Sequence, residues 1–156
     1  MQDSVSERAG IIVPPPVIYL GMLGAGLFFE WIWPIRIPGR PLAVVVGATL
    51  LVCGVIGAAA AIQALRRAQT PIDPYKPTTA IVTDGPFRFS RNPIYVSNLV
   101  IYVGLSLLLN AWWALALIPA LIWVMQVGVI SREENYLERK FGADYLHYKR
   151  QVRRWL

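Results

Sequence analysis

The sequence predicts an all-α integral membrane protein with about four transmembrane helices and C-terminal amphipathic helices in the cytoplasm. Three observations predict it. Hydrophobic residues make up 56% of the 156 positions, too many for an ordinary soluble domain. Charge is clustered: segments 10–29, 41–65 and 94–130 hold no Asp, Glu, Lys or Arg, and each is bounded by charge. The basic residues gather in two stretches, 66–91 and 132–154. About 20 apolar residues cross a bilayer as a helix, so the first two apolar segments supply one span each and the third supplies two. The chain reads as one domain, 1–156. Within it, 1–65 carries the first two membrane helices, 66–93 a cytoplasmic loop, 94–130 a helical hairpin and 131–156 a cytoplasmic tail.

The first helix starts after Pro14-Pro15-Pro16, which interrupts what would otherwise pass for a secretory signal, so the Met1 end is expected to stay in the cytoplasm. It ends near Glu30, where Trp31 and Trp33 fit an interfacial aromatic belt. Glu30 is expected to reach headgroups or to pair with Arg36 or Arg40. The second helix is rich in small residues, and Gly47, Gly54 and Gly57 permit close approach of a neighbouring helix. The loop after it holds Pro71, Pro74 and Pro77, which exclude regular helix. Residues 79–83 alternate enough for a short extended segment, and Asp84-Gly85-Pro86 marks a turn. Asn92-Pro93 opens the third helix, with Asn as side-chain cap and Pro at the first helical position. Asn110 falls where a tight turn must join the third helix to the fourth. Ser131-Arg132-Glu133-Glu134 has the spacing of a capping box, and Gly142 stops the segment it begins. Beyond it, Tyr145, Tyr148, Val152 and Trp155 share one helical face, and Arg150, Arg153 and Arg154 lie largely on the other.

The distribution of basic residues sets the orientation. Arg66, Arg67, Lys76, Arg88 and Arg91 occupy the second inter-helix loop, and seven more occupy the tail, from Arg132 to Arg154. The positive-inside rule puts both stretches, and with an even number of spans both termini, in the cytoplasm. In a bacterium the membrane would be the inner one. The net charge of +6 suits anionic headgroups, and nucleic acid is not needed to explain it. Cys53 and His147 are each the sole residue of their kind. A disulfide within the chain, a cysteine metal site, a zinc centre and a histidine triad are therefore excluded.

Chemistry is concentrated where the hairpin begins and ends. A hairpin returns Arg91 to Tyr95 and Arg132 to Glu134 to the same membrane face. Alone, Arg88 and Arg91 read as snorkelling arginines, and Glu133 and Glu134 as helix N-terminal charge. Together with the aromatic tail they form a site of guanidinium, carboxylate and phenol groups beside a hydrophobic slot.

At these residues the chain resembles a known superfamily. Gly85-Pro86-Phe87-Arg88-Phe89-Ser90-Arg91-Asn92-Pro93-Ile94-Tyr95 is similar to a motif of the isoprenylcysteine carboxyl methyltransferases and phospholipid methyltransferases. Glu133-Glu134, with Leu137, Phe141, Gly142, Tyr145, Tyr148 and Val152 after it, resembles their C-terminal block. The resemblance covers the second half of the chain, from Thr79 onward. It implies S-adenosylmethionine as cofactor, methyl transfer as reaction and a lipidic or isoprenylated small molecule as acceptor. It also implies catalytic roles for Arg91, Asn92, Glu133 and Glu134. The cofactor-binding set it implies is Arg88, Arg91, Asn92, Pro93, Tyr95, Glu133, Glu134, Tyr145 and Tyr148, with no metal.

Within that set, Arg88 or Arg91 suits the cofactor carboxylate through forked hydrogen bonds. Glu133 or Glu134 suits its ammonium or ribose hydroxyls. A ring of Tyr95, Tyr145 or Tyr148 suits its sulfonium. Asn92 stands where many family members have His, so no ionisable role is expected there. A carboxylate acceptor needs no general base, which favours carboxylate O-methylation. Phospholipid amine N-methylation stays open, and would need Glu133 or Glu134 as the base. Two further readings stand beside these: a nicotinamide-dependent membrane reductase related to sterol reductases, and a membrane scaffold without chemistry.

Overall fold

The computed structural model describes Gly10 and residues 13–35, 39–73 and 76–156. Met1, Ile11, Arg36 and Pro74 therefore lie outside the described residues. Every regular element among the described residues is helical. In chain order they are α1 (Pro15–Ile32), α2 (Arg40–Arg67), a 3₁₀ turn (Gly85–Arg88), α3 (Pro93–Leu108), α4 (Trp112–Ala116), α5 (Ile118–Met125), a π turn (Gln126–Ile130), α6 (Ser131–Phe141) and α7 (Ala143–Gln151).

Helices α1 and α2 are long and apolar enough to cross a membrane. Their apolar side chains point outward: Leu20, Phe28, Val45, Val52, Val55 and Ile56 are all exposed. The core helices of a soluble protein would bury such residues, so this surface is suited to lipid. Helix α3 is apolar but shorter, at 16 residues. The segment after it is interrupted at Leu117 and again by the π turn.

Close backbone contact fixes α2 against α3. A Cβ added at Gly104 would lie 2.8 Å from both Gly47 O and Leu51 N, and one at Gly54 would lie 3.0 Å from Ser97 O. The small residues of α2 are therefore where its neighbour approaches, as their composition requires. Arg40, at the start of α2, donates to the carbonyls of Leu107 and Leu108 at 3.3 and 2.9 Å and caps the far end of α3. The turn between α3 and α4 falls at Asn110. Its φ of 57° and the bond from Ala111 N–H to Ser106 O at 2.8 Å form a left-handed helix stop.

Glu30 does not take Arg40, one of its expected partners; Arg36, the other, lies outside the described residues. Its carboxylate accepts from the backbone N–H of Ile35 at 2.6 Å and of Trp113 at 3.5 Å, while Arg40 is engaged with α3. The side chain thus caps the N-terminus of α4, where a helix dipole favours negative charge. Three local expectations are also corrected. Residues 79–83 pair with no strand among the described residues; instead the hydroxyls of Thr70 and Thr79 meet at 2.9 Å and clasp the loop across ten residues. Ser131 caps nothing, because the π turn feeds directly into α6 and leaves no free helix end. Helix α7 ends at Gln151, and Val152 is extended at φ −120°, ψ 133°, so the last residues form a strap.

Candidate active site

The strap decides how the two motifs meet. Arg91 N–H donates to Arg153 O at 2.9 Å, Ser90 Oγ to Arg154 O at 3.2 Å and Asn92 Nδ2 to Arg154 O at 2.9 Å. Trp155 Nε1 donates to Gln126 Oε1 in the π turn at 3.1 Å. The last residues are therefore sewn to the N-terminus of α3 on one side and to the π turn behind α5 on the other. Asn92 spends its amide on this contact and makes no side-chain cap on α3, correcting that expectation; its own N–H is taken by Ser90 Oγ at 3.1 Å. Pro93 opens α3 and is buried beside it.

Glu134 sits at the centre of the cluster, 3% exposed. Arg154 binds it in a fork, Nε to Oε1 at 3.0 Å and Nη2 to Oε2 at 2.6 Å. Arg91 approaches the same carboxylate through Nη1 at 3.2 Å, with 8% of its side chain exposed. The hydrogen bond to Glu134 raises the Arg154 pKa, against a smaller opposing effect of burial. Nε and Nη1 of Arg91 are buried and have no hydrogen-bond partner among the described residues. Buried guanidinium donors are costly to leave unmade, so Nε, which has no ion-pair contact either, is the clearest sign of a missing acceptor.

Glu133 has a different environment. Its Oε1 accepts from the Tyr95 hydroxyl at 2.6 Å, and Tyr95 O accepts from the Tyr19 hydroxyl at 2.9 Å. Burial pushes the Glu133 carboxyl up to about 7; the Tyr95 hydrogen bond opposes the rise, and neighbouring Glu134 adds to it. Tyr145 and Tyr148 are buried and stack edge to face, their ring centroids 6.2 Å apart. Burial pushes the Tyr145 hydroxyl up to about 12 and raises that of Tyr148, with Arg91 opposing both. Both phenols stay protonated at neutral pH, and Tyr148 donates to Phe87 O at 2.8 Å.

These groups line a cavity of about 280 Å³, with Arg91, Glu133 and Tyr95 in its polar wall. Its apolar wall includes Pro15 and Pro16 of α1, Ile72 and Ile81 of the loop, and Leu137. Asn92, Pro93, Glu134, Tyr145 and Tyr148 also reach it. Arg88 does not, and is exposed. With three residues per 3₁₀ turn, directing Phe87 inward turns its successor outward. Three contributors were missed by sequence reasoning. Arg154 lies past the end of α7, where no helical face could assign it, and Arg153-Arg154 reads as a headgroup pair. Pro15 and Pro16 give no chemical signal; only the packing of α1 brings them to the wall.

Comparison with known proteins places the site in context. The family described as phospholipid methyltransferase matches residues 42–144, more than half of the chain. A protein of Haemophilus influenzae described as uncharacterized is 45% identical over 62 residues, 35% of this chain and 98% of that protein. A protein-S-isoprenylcysteine O-methyltransferase of Schizosaccharomyces pombe is 32% identical over 72 residues, 46% of this chain and 30% of the relative. A nickel-cobalt-cadmium resistance protein, NccN, of Alcaligenes xylosoxydans is 34% identical over 64 residues, 41% of this chain and 30% of that protein. The matches to these last two thus reach less than a third of each relative's length. No solved structure matches.

Proposed function

The chain belongs to the phospholipid methyltransferase family, and from that premise we propose that it uses S-adenosylmethionine to methylate a lipidic or isoprenylated acceptor at the cytoplasmic face of a membrane. In this reading the segments 94–108 and 112–130 complete a bundle of four spans, with both termini inside. The observation that carries the cofactor assignment is Arg91: two buried donors without a hydrogen bond, one of them in an ion pair with Glu134, in a residue lining a cavity that also holds a carboxylate and aromatic rings.

The residues fit the cofactor's parts. Arg91 Nε, buried and without a hydrogen bond, suits its carboxylate, with the short charge-assisted bond that a guanidinium makes. Glu133 suits its ammonium or a ribose hydroxyl, and the rings of Tyr95, Tyr145 and Tyr148 suit a cation. When bound, S-adenosylmethionine supplies an electrophilic methyl group on a positively charged sulfur. The protein's task is to align acceptor and methyl and to keep water out. The apolar wall from Pro15 to Leu137 holds the acceptor's hydrocarbon part beside the polar wall.

Carboxylate O-methylation asks for no base and agrees with the activity named for the fission-yeast relative. One observation favours amine N-methylation instead. Glu133, with a carboxyl pushed up to about 7 and the Tyr95 hydroxyl on it, is suited to take a proton from an ammonium acceptor.

The test is methyl transfer from labelled cofactor by the detergent-purified protein, offered an isoprenylated cysteine derivative and, separately, phosphatidylethanolamine. Product from the first supports O-methylation and product from the second N-methylation. Thermal stabilisation by NADPH, with none by S-adenosylhomocysteine, would instead move the chain to the reductases.

A further inference from the structure

Arg154 is absent from the cavity wall, yet it determines what the wall offers. Three buried or half-buried ionic groups converge behind the cavity: the guanidinium groups of Arg91 and Arg154 and the carboxylate of Glu134. They sum to one positive charge. The carboxylate is shared unequally. Arg154 takes both oxygens in a fork at 3.0 and 2.6 Å, leaving Arg91 Nη1 an ion-pair contact at 3.2 Å that makes no hydrogen bond, and Arg91 Nε with neither ion pair nor hydrogen bond.

We infer that Arg154 is a positioning residue which, by occupying Glu134, keeps Arg91 free to bind the carboxylate of the cofactor. Without it, Glu134 would be a buried carboxylate beside a lone arginine, and the forked pairing would pass to Arg91. The donors that face the cavity would be consumed and the cluster would fall to zero net charge. Glu133, the neighbouring acid in sequence, accepts from Tyr95 and forms no ion pair with either arginine among the described residues, while Glu138 acts on Arg154 only through its charge. The strap gives Arg154 this place. Ser90 and Asn92, flanking Arg91 in sequence, both donate to Arg154 O, so the backbones of the two arginines are locked together. The second arginine therefore acts through Glu134 and never touches the ligand.

This inference rests on the cofactor reading above, and calorimetry without any methyl transfer separates the two. The ligands are S-adenosylhomocysteine and the same molecule lacking its α-carboxylate. The wild type is expected to prefer the carboxylate form. Arg154→Gln is expected to lose about tenfold or more for that form, the worth of a buried charge-assisted bond, and little for the decarboxylated one. Adding Glu134→Gln to it removes the competitor, restores the positive charge and should bring the preference back. Arg154→Lys, which keeps the charge but not the fork, should fall between. A thermal melt of each variant without ligand registers any loss of fold.

An equal loss for both ligands, or no recovery in Arg154→Gln/Glu134→Gln, would mean that Arg154 only holds the fold together and would overturn the inference. So would an Arg154→Gln protein that keeps the wild-type preference. If Arg154→Gln does not fold, Arg154→Lys decides the matter: a wild-type carboxylate preference there overturns the proposal, and a reduced one upholds it. Absence of any binding by the wild type would overturn the cofactor reading itself.

Discussion

Two adjacent glutamates have been given opposite surroundings. Glu134 is locked between arginines, whereas Glu133 faces the cavity with a phenol as its bonding partner. Because burial raises the Glu133 pKa from 4.5 to about 7, the folded protein holds this proton where the unfolded chain has released it. Its favourable contribution to stability is fully present below the unfolded value and is lost as pH rises through the folded one. The melting temperature of the detergent-purified protein should therefore fall between about pH 5 and about pH 8 by more in the wild type than in Glu133→Gln. Parallel profiles would refute the raised pKa. The sequence made the Glu-Glu pair conspicuous but not its division of labour, because that depends on a partner 20 residues on, in an irregular strap. Arg88 and Arg91 were equally conspicuous. Only the phase of one 3₁₀ turn sends the first to solvent and the second inward.

Among the elements, α2 and α3 were the most legible, since glycine spacing and apolar runs are local properties. The contact predicts its own test. Gly104→Ala places a methyl 2.8 Å from backbone atoms of α2, which cannot swing aside as a side chain can. Thermal melts should show a loss of about 1–3 kcal/mol, the usual cost of overpacking. Gly21→Ala in α1, where a Cβ meets nothing within 4 Å, should cost nothing and supplies the control. Equal melts for the two variants would remove the close packing. The capping box at Ser131 misled for a physical reason. Its spacing also occurs inside a continuous helix, and nothing local reveals that the π turn already supplies the preceding backbone.

Across the whole molecule, charge asymmetry predicts an orientation, whereas the number of spans depends on how interrupted helices sit in lipid. Helices α1 and α2 have the length to cross; in the proposed four-span arrangement, α3 and the segment behind it would cross as a broken hairpin. Impermeant maleimide labelling in intact cells or sealed vesicles tests the arrangement. In a protein with Cys53 replaced by Ala, cysteines at exposed Arg88 and His147 should label only from the cytoplasmic side. One at Gly39 should label only from the opposite side. Labelling of Arg88→Cys from outside would end the four-span reading and, with it, access to a cofactor made in the cytoplasm.

The π turn at Gln126–Ile130 has a consequence for how such a chain can change. A π turn is one residue wider than an α turn, so it absorbs an insertion without rotating the helix on either side. The lipid-facing phase before it and the charge-bearing phase after it are thereby uncoupled. One residue can be lost there, and Glu133 and Glu134 keep their bearings. The same loss anywhere in α6 before them would swing both carboxylates by about 100°, the angle per residue of an α-helix. Length variation between related chains should accordingly be tolerated at 126–130 and rejected immediately after it.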